Sequence, residues 1–130
     1  MNRAKTMLGV LAFVLMTLGL SAFATPAVDW SGTWLGKTTI PNGTVDELTV
    51  VLKKDKTAYT GTVVDTLGLI APDTLLKDVT VNNNEMTANF TLTDGTLIKF
   101  TLKIEGDKMN GKWEDLAEGS TGILEFVKKK

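Results

Sequence analysis

Met86-Thr-Ala-Asn-Phe-Thr-Leu-Thr-Asp-Gly-Thr-Leu-Ile-Lys-Phe-Thr-Leu-Lys-Ile104 is the stretch that decides the fold of this chain. Met86, Ala88, Phe90 and Leu92 alternate with Thr87, Asn89 and Thr91. Beyond Asp94-Gly95, Ile98, Phe100, Leu102 and Ile104 alternate with Lys99, Thr101 and Lys103. A period of two sends successive side chains to opposite faces, here one apolar and one wet. That is the pattern of an antiparallel hairpin with one buried face. Asp and Gly between the two runs tolerate the positive φ of a tight turn.

The same pattern extends outward in both directions. Leu48, Val50 and Leu52 alternate with Thr49 and Lys53, although Val51 breaks the polar face. Pro41-Asn42-Gly43, Lys54-Asp55-Lys56, Asn82-Asn83-Asn84 and Gly106-Asp107 read as further turns. Turns at intervals of roughly ten residues mark a sandwich or barrel. The spacing predicts eight strands, near 32–40, 46–54, 58–65, 76–82, 85–93, 96–105, 108–115 and 120–128. Short links keep sequence neighbours adjacent in space. The expected fold is therefore all-β, an eight-stranded antiparallel up-and-down barrel. One link departs from this economy. Residues 66–75 hold Leu67, Leu69, Ile70 and Ala71, too apolar for a free surface loop. They are expected to plug one barrel end, with a lid or a partner-contact loop as the other readings. Pro72-Asp73 is a position where one helical turn would start.

The amino-terminal segment has a different character. Arg3 and Lys5 precede a nearly unbroken apolar run from Met7 to Leu20, and Ala22-Phe23-Ala24 follows. A charged head, a short apolar run and small residues at the cleavage position make a secretory signal. A spanning helix needs roughly 20 apolar residues, more than this run offers. Residues 1–24 are read as a signal-peptide helix, cut between Ala24 and Thr25, and residues 25–130 as one barrel domain. The expected location is periplasmic or secreted, soluble after cleavage and without stable membrane insertion. Loss of Arg3 and Lys5 takes the net charge from −1 to −3, and a domain that grips phosphates usually carries a basic excess. Nucleic acid is thus not an expected partner, and the protein partner, if any, is not identified by the sequence. With no cysteine, neither a disulfide nor a lipid-bearing cysteine is available.

The predicted interior is apolar, and two readings of it are open. A short chain needs its large side chains for a packed core, each worth roughly 1.5–3 kcal/mol when fully buried. Alternatively, inward Gly36, Gly61, Ala88 and Gly111 leave room for a small hydrophobic ligand. Eight-stranded barrels exist in both states. The ligand reading draws on Trp34, Thr38, Tyr59, Phe90, Phe100 and Trp113 beside those small positions, with Leu67, Leu69 and Ile70 as lid or contact loop.

Gly32-Thr33-Trp34, after Asp29-Trp30-Ser31, resembles the Gly-x-Trp start of the lipocalin (calycin-type) barrels. Tyr59-Thr60-Gly61-Thr62-Val63 and Gly106-Asp107-Lys108-Met109-Asn110-Gly111-Lys112-Trp113 are similar to later strands of the short bacterial lipocalin-like domains. The resemblance implies a tryptophan closing the barrel base under a cation from the last strand, here Lys128, and a binding role for the interior. The chain departs from that pattern in its shortness and in having no arginine after Arg3.

Several chemistries are excluded. Without histidine or cysteine there is no Ser-His-Asp or Cys-His site and no common zinc site. Asp46-Glu47 and Glu114-Asp115 with Glu118 are carboxylate groupings, read as solvated charge on turns. No catalytic residue, metal or cofactor is expected. The expected function is non-enzymatic binding of a small hydrophobic molecule such as a lipid or acyl chain. The alternative is a filled barrel acting through its loops, as a protein-interaction module or enzyme inhibitor of the cell envelope.

Overall fold

A computed structural model describes residues 28–130. The expected signal peptide and the expected cleavage position between Ala24 and Thr25 lie outside the described residues. Nine strands form one antiparallel sheet: β1 (Gly32–Thr39), β2 (Val45–Asp55), β3 (Ala58–Asp65), β4 (Thr74–Leu75), β5 (Lys77–Asn82), β6 (Glu85–Thr91), β7 (Leu97–Glu105), β8 (Lys108–Asp115) and β9 (Thr121–Lys128). Their order is β4-β3-β2-β1-β9-β8-β7-β6-β5. Each neighbouring pair except β1–β9 is consecutive in sequence, so the sheet is an up-and-down meander rolled into a nearly closed barrel.

The count of eight is corrected to nine because the last two residues of the predicted link, Thr74 and Leu75, form a short strand of their own ahead of the predicted fourth one. Thr74 and Leu75 pair with β3, opposite Val63 and Thr62. The N–H of Leu76 donates to the Gly61 carbonyl at 2.9 Å. From Lys77 the chain pairs with β6 instead. A register shift between Lys77 and Thr80 accommodates one extra residue, with Asp78 at φ 53°. This bulge resets the alternation, so that Leu76 is buried and Val79 and Val81 pack against the core. The loop before it contains no helical turn; Thr74 N–H closes a turn onto the Ala71 carbonyl at 3.3 Å.

The barrel is closed at one end. Trp30 and Trp34 are fully buried there. Trp34 Nε1 donates to the Trp30 carbonyl at 2.9 Å. The Tyr59 hydroxyl accepts from the Trp30 N–H at 3.1 Å and donates to the Val28 carbonyl at 3.3 Å. Lys128 Nζ stands 5.6 Å from the centroid of the Trp34 ring, a cation–π distance. Turns 56–57, 83–84 and 106–107 lie at this end. Turns 40–44, 92–96 and 116–120 and the loop 66–73 lie at the other.

The small inward positions do not open a void between them. A Cβ on Gly36 would overlap the Phe126 ring and fall 2.7 Å from the Glu125 carbonyl. On Gly111 it would overlap the Thr101 carbonyl, and on Gly61 it would meet Leu52 and the Val51 carbonyl. Ala88 is buried within the packed core. These positions admit neighbours rather than a ligand. Gly36→Ala should therefore cost about 1–2 kcal/mol by overpacking, read as a lowered urea midpoint. A midpoint equal to that of the parent protein would contradict the close fit of Phe126.

Candidate functional site

A cavity of about 250 Å³ occupies the other end of the barrel. Its walls include Leu48, Val50, Phe90, Phe100, Leu124 and Phe126. These are inward residues of β2, β6, β7 and β9, whose outward neighbours are largely polar, so period-two alternation alone delivers an apolar lining. Ring centroids of Phe90 and Phe100 are 6.1 Å apart with planes tilted by 45°. Leu69 and Ile70 line the cavity from the loop, and Ile70 is buried. The Thr93 N–H donates to the Leu69 carbonyl at 2.9 Å, tying this loop to the turn between β6 and β7.

Of the residues expected from the sequence, Thr38, Phe90, Phe100, Trp113, Leu69 and Ile70 come together here. Trp34 and Tyr59 do not; they close the opposite end. Gly36, Gly61, Ala88 and Gly111 are absent from the lining, and Leu67 points outward, 43% exposed. Trp113 reaches its place across β9. A Cβ on Gly122 would lie 2.5 Å from Trp113 Nε1, so the glycine is the saddle over which the indole crosses. Trp113 Nε1 then donates to Thr38 Oγ1 at 2.8 Å, which satisfies the half-buried indole and the buried hydroxyl together.

The cavity mouth carries carboxyl groups, where the sequence pattern predicts only solvated charge on turns. Asp46 is 3% exposed and lines the cavity with Asp115 and Glu118. The Leu67 N–H donates to Asp46 Oδ1 at 3.3 Å. The Leu69 and Ile70 N–H groups donate to the Asp65 carboxylate at 3.2 and 3.0 Å. Burial first, and then the adjacent Asp65 carboxylate, push the Asp46 carboxyl up to about 7. Two acids from neighbouring strands thus hold the plug by its backbone. Asp115 Oδ1 accepts from the N–H groups of Ala117 and Glu118 at 2.8 and 3.1 Å, shaping the turn that brings Glu118 to the rim. The alternation that places Leu48 and Val50 inward also places Asp46 inward, and that phase was the signal available in the sequence.

Among the described residues no grouping of three or more His, Cys, Asp or Glu side chains is arranged to hold a metal ion. The arrangement offers apolar volume, hydrogen-bond acceptors and negative charge.

No protein-family model and no curated protein matches the chain. A redesigned β-barrel of known structure is similar to it, with a TM-score of 0.61 over 77% of this chain and 91% of that one, at 14% identity. The likeness is one of fold, an antiparallel barrel.

Proposed function

We propose that this protein is a non-enzymatic binding module that holds one small apolar molecule in the open end of its barrel. The observation that carries the reading is the cavity of about 250 Å³ walled by aromatic and aliphatic side chains. Ligand sites are usually about 300–1,000 Å³, so the ligand is small. At about 30 Å³ per non-hydrogen atom, the share of a water molecule in the liquid, roughly eight atoms fit. A full-length acyl chain is too long, which narrows the lipid expectation to short or compact molecules. At roughly 0.6–0.9 kcal/mol per atom, within the bounds for small ligands, the expected Kd lies between about 5 µM and about 0.3 mM.

The lipocalin-like assignment belongs to the same proposal. It is supported by Gly32-Thr33-Trp34 and by the Lys128 ammonium over the Trp34 ring. Export rests on the leader in residues 1–24.

Titration calorimetry with 1-octanol and with indole tests the binding reading. Saturable one-to-one binding in the stated range is expected. Val63→Phe, which adds bulk to a cavity wall, should weaken it at least tenfold. Absence of binding by both compounds would remove the reading.

One observation favours the loop reading. Leu67, Leu97 and Leu116 are 43%, 39% and 47% exposed, all on the open end, and apolar groups gathered on a rim suit a protein partner. A partner whose capture is lost in Leu67→Ser with Leu116→Ser, while octanol binding persists, would establish that role.

A further inference from the structure

The charges of this barrel are sorted by end. The segments that form the open end, 39–46, 65–78, 91–98 and 114–121, hold eight carboxylates and one lysine, Lys77. The segments of the closed end, 28–33, 53–58, 82–86, 103–109 and 127–130, hold eight lysines and five carboxylates. The net charge is thus strongly negative around the cavity mouth and positive at the base. Within the cavity itself the asymmetry is complete. Asp46, Asp115 and Glu118 line it, and no lysine or arginine does.

Asp46 carries the argument further than the rim charges do. It is 3% exposed, and a carboxyl taken out of water is costly unless something compensates it. Its nearest charged neighbour is another acid, Asp65. The donors that reach it are backbone N–H groups of the plug, from Leu67 and Thr66. An ammonium at the mouth would supply the missing charge. The Trp113 indole on the same lining adds a face that favours a cation. A carboxylate headgroup would meet three acids and no donor cation.

The geometry points to a short cationic amphiphile as the occupant, an alkyl- or arylalkyl-ammonium whose tail lies between Phe100 and Phe126 and whose ammonium sits against Asp46, Asp115 and Glu118. This rests on the apolar-cavity reading above and names the ligand class for it. Such a field also draws cations toward the mouth and turns anions away, so the selection acts on encounter as well as on the bound state. The preference should weaken as salt screens the rim.

Three eight-carbon ligands that differ only in the head test it: n-octylammonium, 1-octanol and octanoate, titrated by calorimetry at pH 8 in low salt. Octylammonium is expected to bind at least tenfold more tightly than octanol, and octanoate at least tenfold less tightly. In Asp46→Asn with Glu118→Gln, the ratio of octylammonium to octanol affinity should fall to within about threefold of unity. Octanoate binding as tightly as octylammonium would overturn the cationic assignment while leaving the apolar cavity in place. A tenfold preference that survives the double substitution would also overturn it, because the preference would then come from elsewhere. Failure of all three to bind would remove both the assignment and the reading it rests on.

Discussion

Trp34→Ala should remove about 3–5 kcal/mol of folding stability, the usual range for emptying a fully buried large aromatic site. Trp34 has no exposed surface and sits where the closed end must be filled. Alanine there would leave a void and strand the Trp30 carbonyl, which now accepts from Trp34 Nε1 at 2.9 Å. It would also take the ring from beneath Lys128, a smaller loss because that lysine is partly solvated. Against a total of about 5–15 kcal/mol for a typical domain, this approaches the limit of folding. With a urea dependence of about 2 kcal/mol per molar, the midpoint should fall by about 2 M. Trp30 and Trp113 remain as fluorescence probes. Trp113→Ala provides the comparison, since that side chain is half-buried and lies against a cavity. A Trp34→Ala midpoint no lower than that of Trp113→Ala would refute the base-closing role.

The second large effect concerns pH. The Asp46 carboxyl, with an ordinary value of 3.8, is raised to about 7 by burial and by Asp65. Between those two values the folded protein keeps a proton that the unfolded chain has released. Stability therefore falls as pH rises from about 4 to about 7, and is level above that. One pKa unit corresponds to about 1.4 kcal/mol. Water at the open mouth screens part of the effect, so the expected loss is about 2–3 kcal/mol. Asp46→Asn, which mimics the neutral acid and can still accept from the Leu67 N–H, should lack this decline and should be the more stable protein at pH 8. Asp29 and Asp94 act in the opposite sense. Their carboxyls are held below the ordinary value by hydrogen bonds from Ser31 and Thr96. Their contribution is present above about pH 4 and is lost on further acidification. Urea titrations at pH 5, 6, 7 and 8 isolate the Asp46 window. Parallel profiles for the two proteins would show that Asp46 titrates as an ordinary surface acid.

The alternation from Met86 to Ile104 and the turn residues were enough to place eight strand segments and the inward face of most of them. They were not enough to place Leu76, because a single extra residue at Asp78 shifts the phase, and a bulge has no strong signature in one sequence. The glycines misled for a related reason. A missing side chain signals space, but the sequence does not say whether a ligand, a ring such as Phe126 or a backbone carbonyl such as that of Thr101 fills it. Asp46 looks like turn charge in the sequence because it follows the turn at Pro41-Asn42-Gly43, although its parity with Leu48 turns it inward. The acid rim is less legible still. Asp46 is far in the chain from Asp115 and Glu118, and only the up-and-down order of hairpins gathers the two ends of that separation at one rim.

That order also governs how the barrel assembles. Strands β1–β4 and β5–β9 are two runs of hairpins, each built from contacts between near neighbours in the chain, which close at little entropic cost. Two of the junctions that unite them are the covalent passage through Leu76 and the ladder in which Gly36 faces Phe126. The second requires a loop of most of the domain to close, and contacts of such long range set the speed of folding. Each half can therefore gain structure early, and the meeting of the first and last strands is the step expected to limit the rate. The glycine that seats Phe126 stands at that junction, so its role extends from packing to the kinetics of closure.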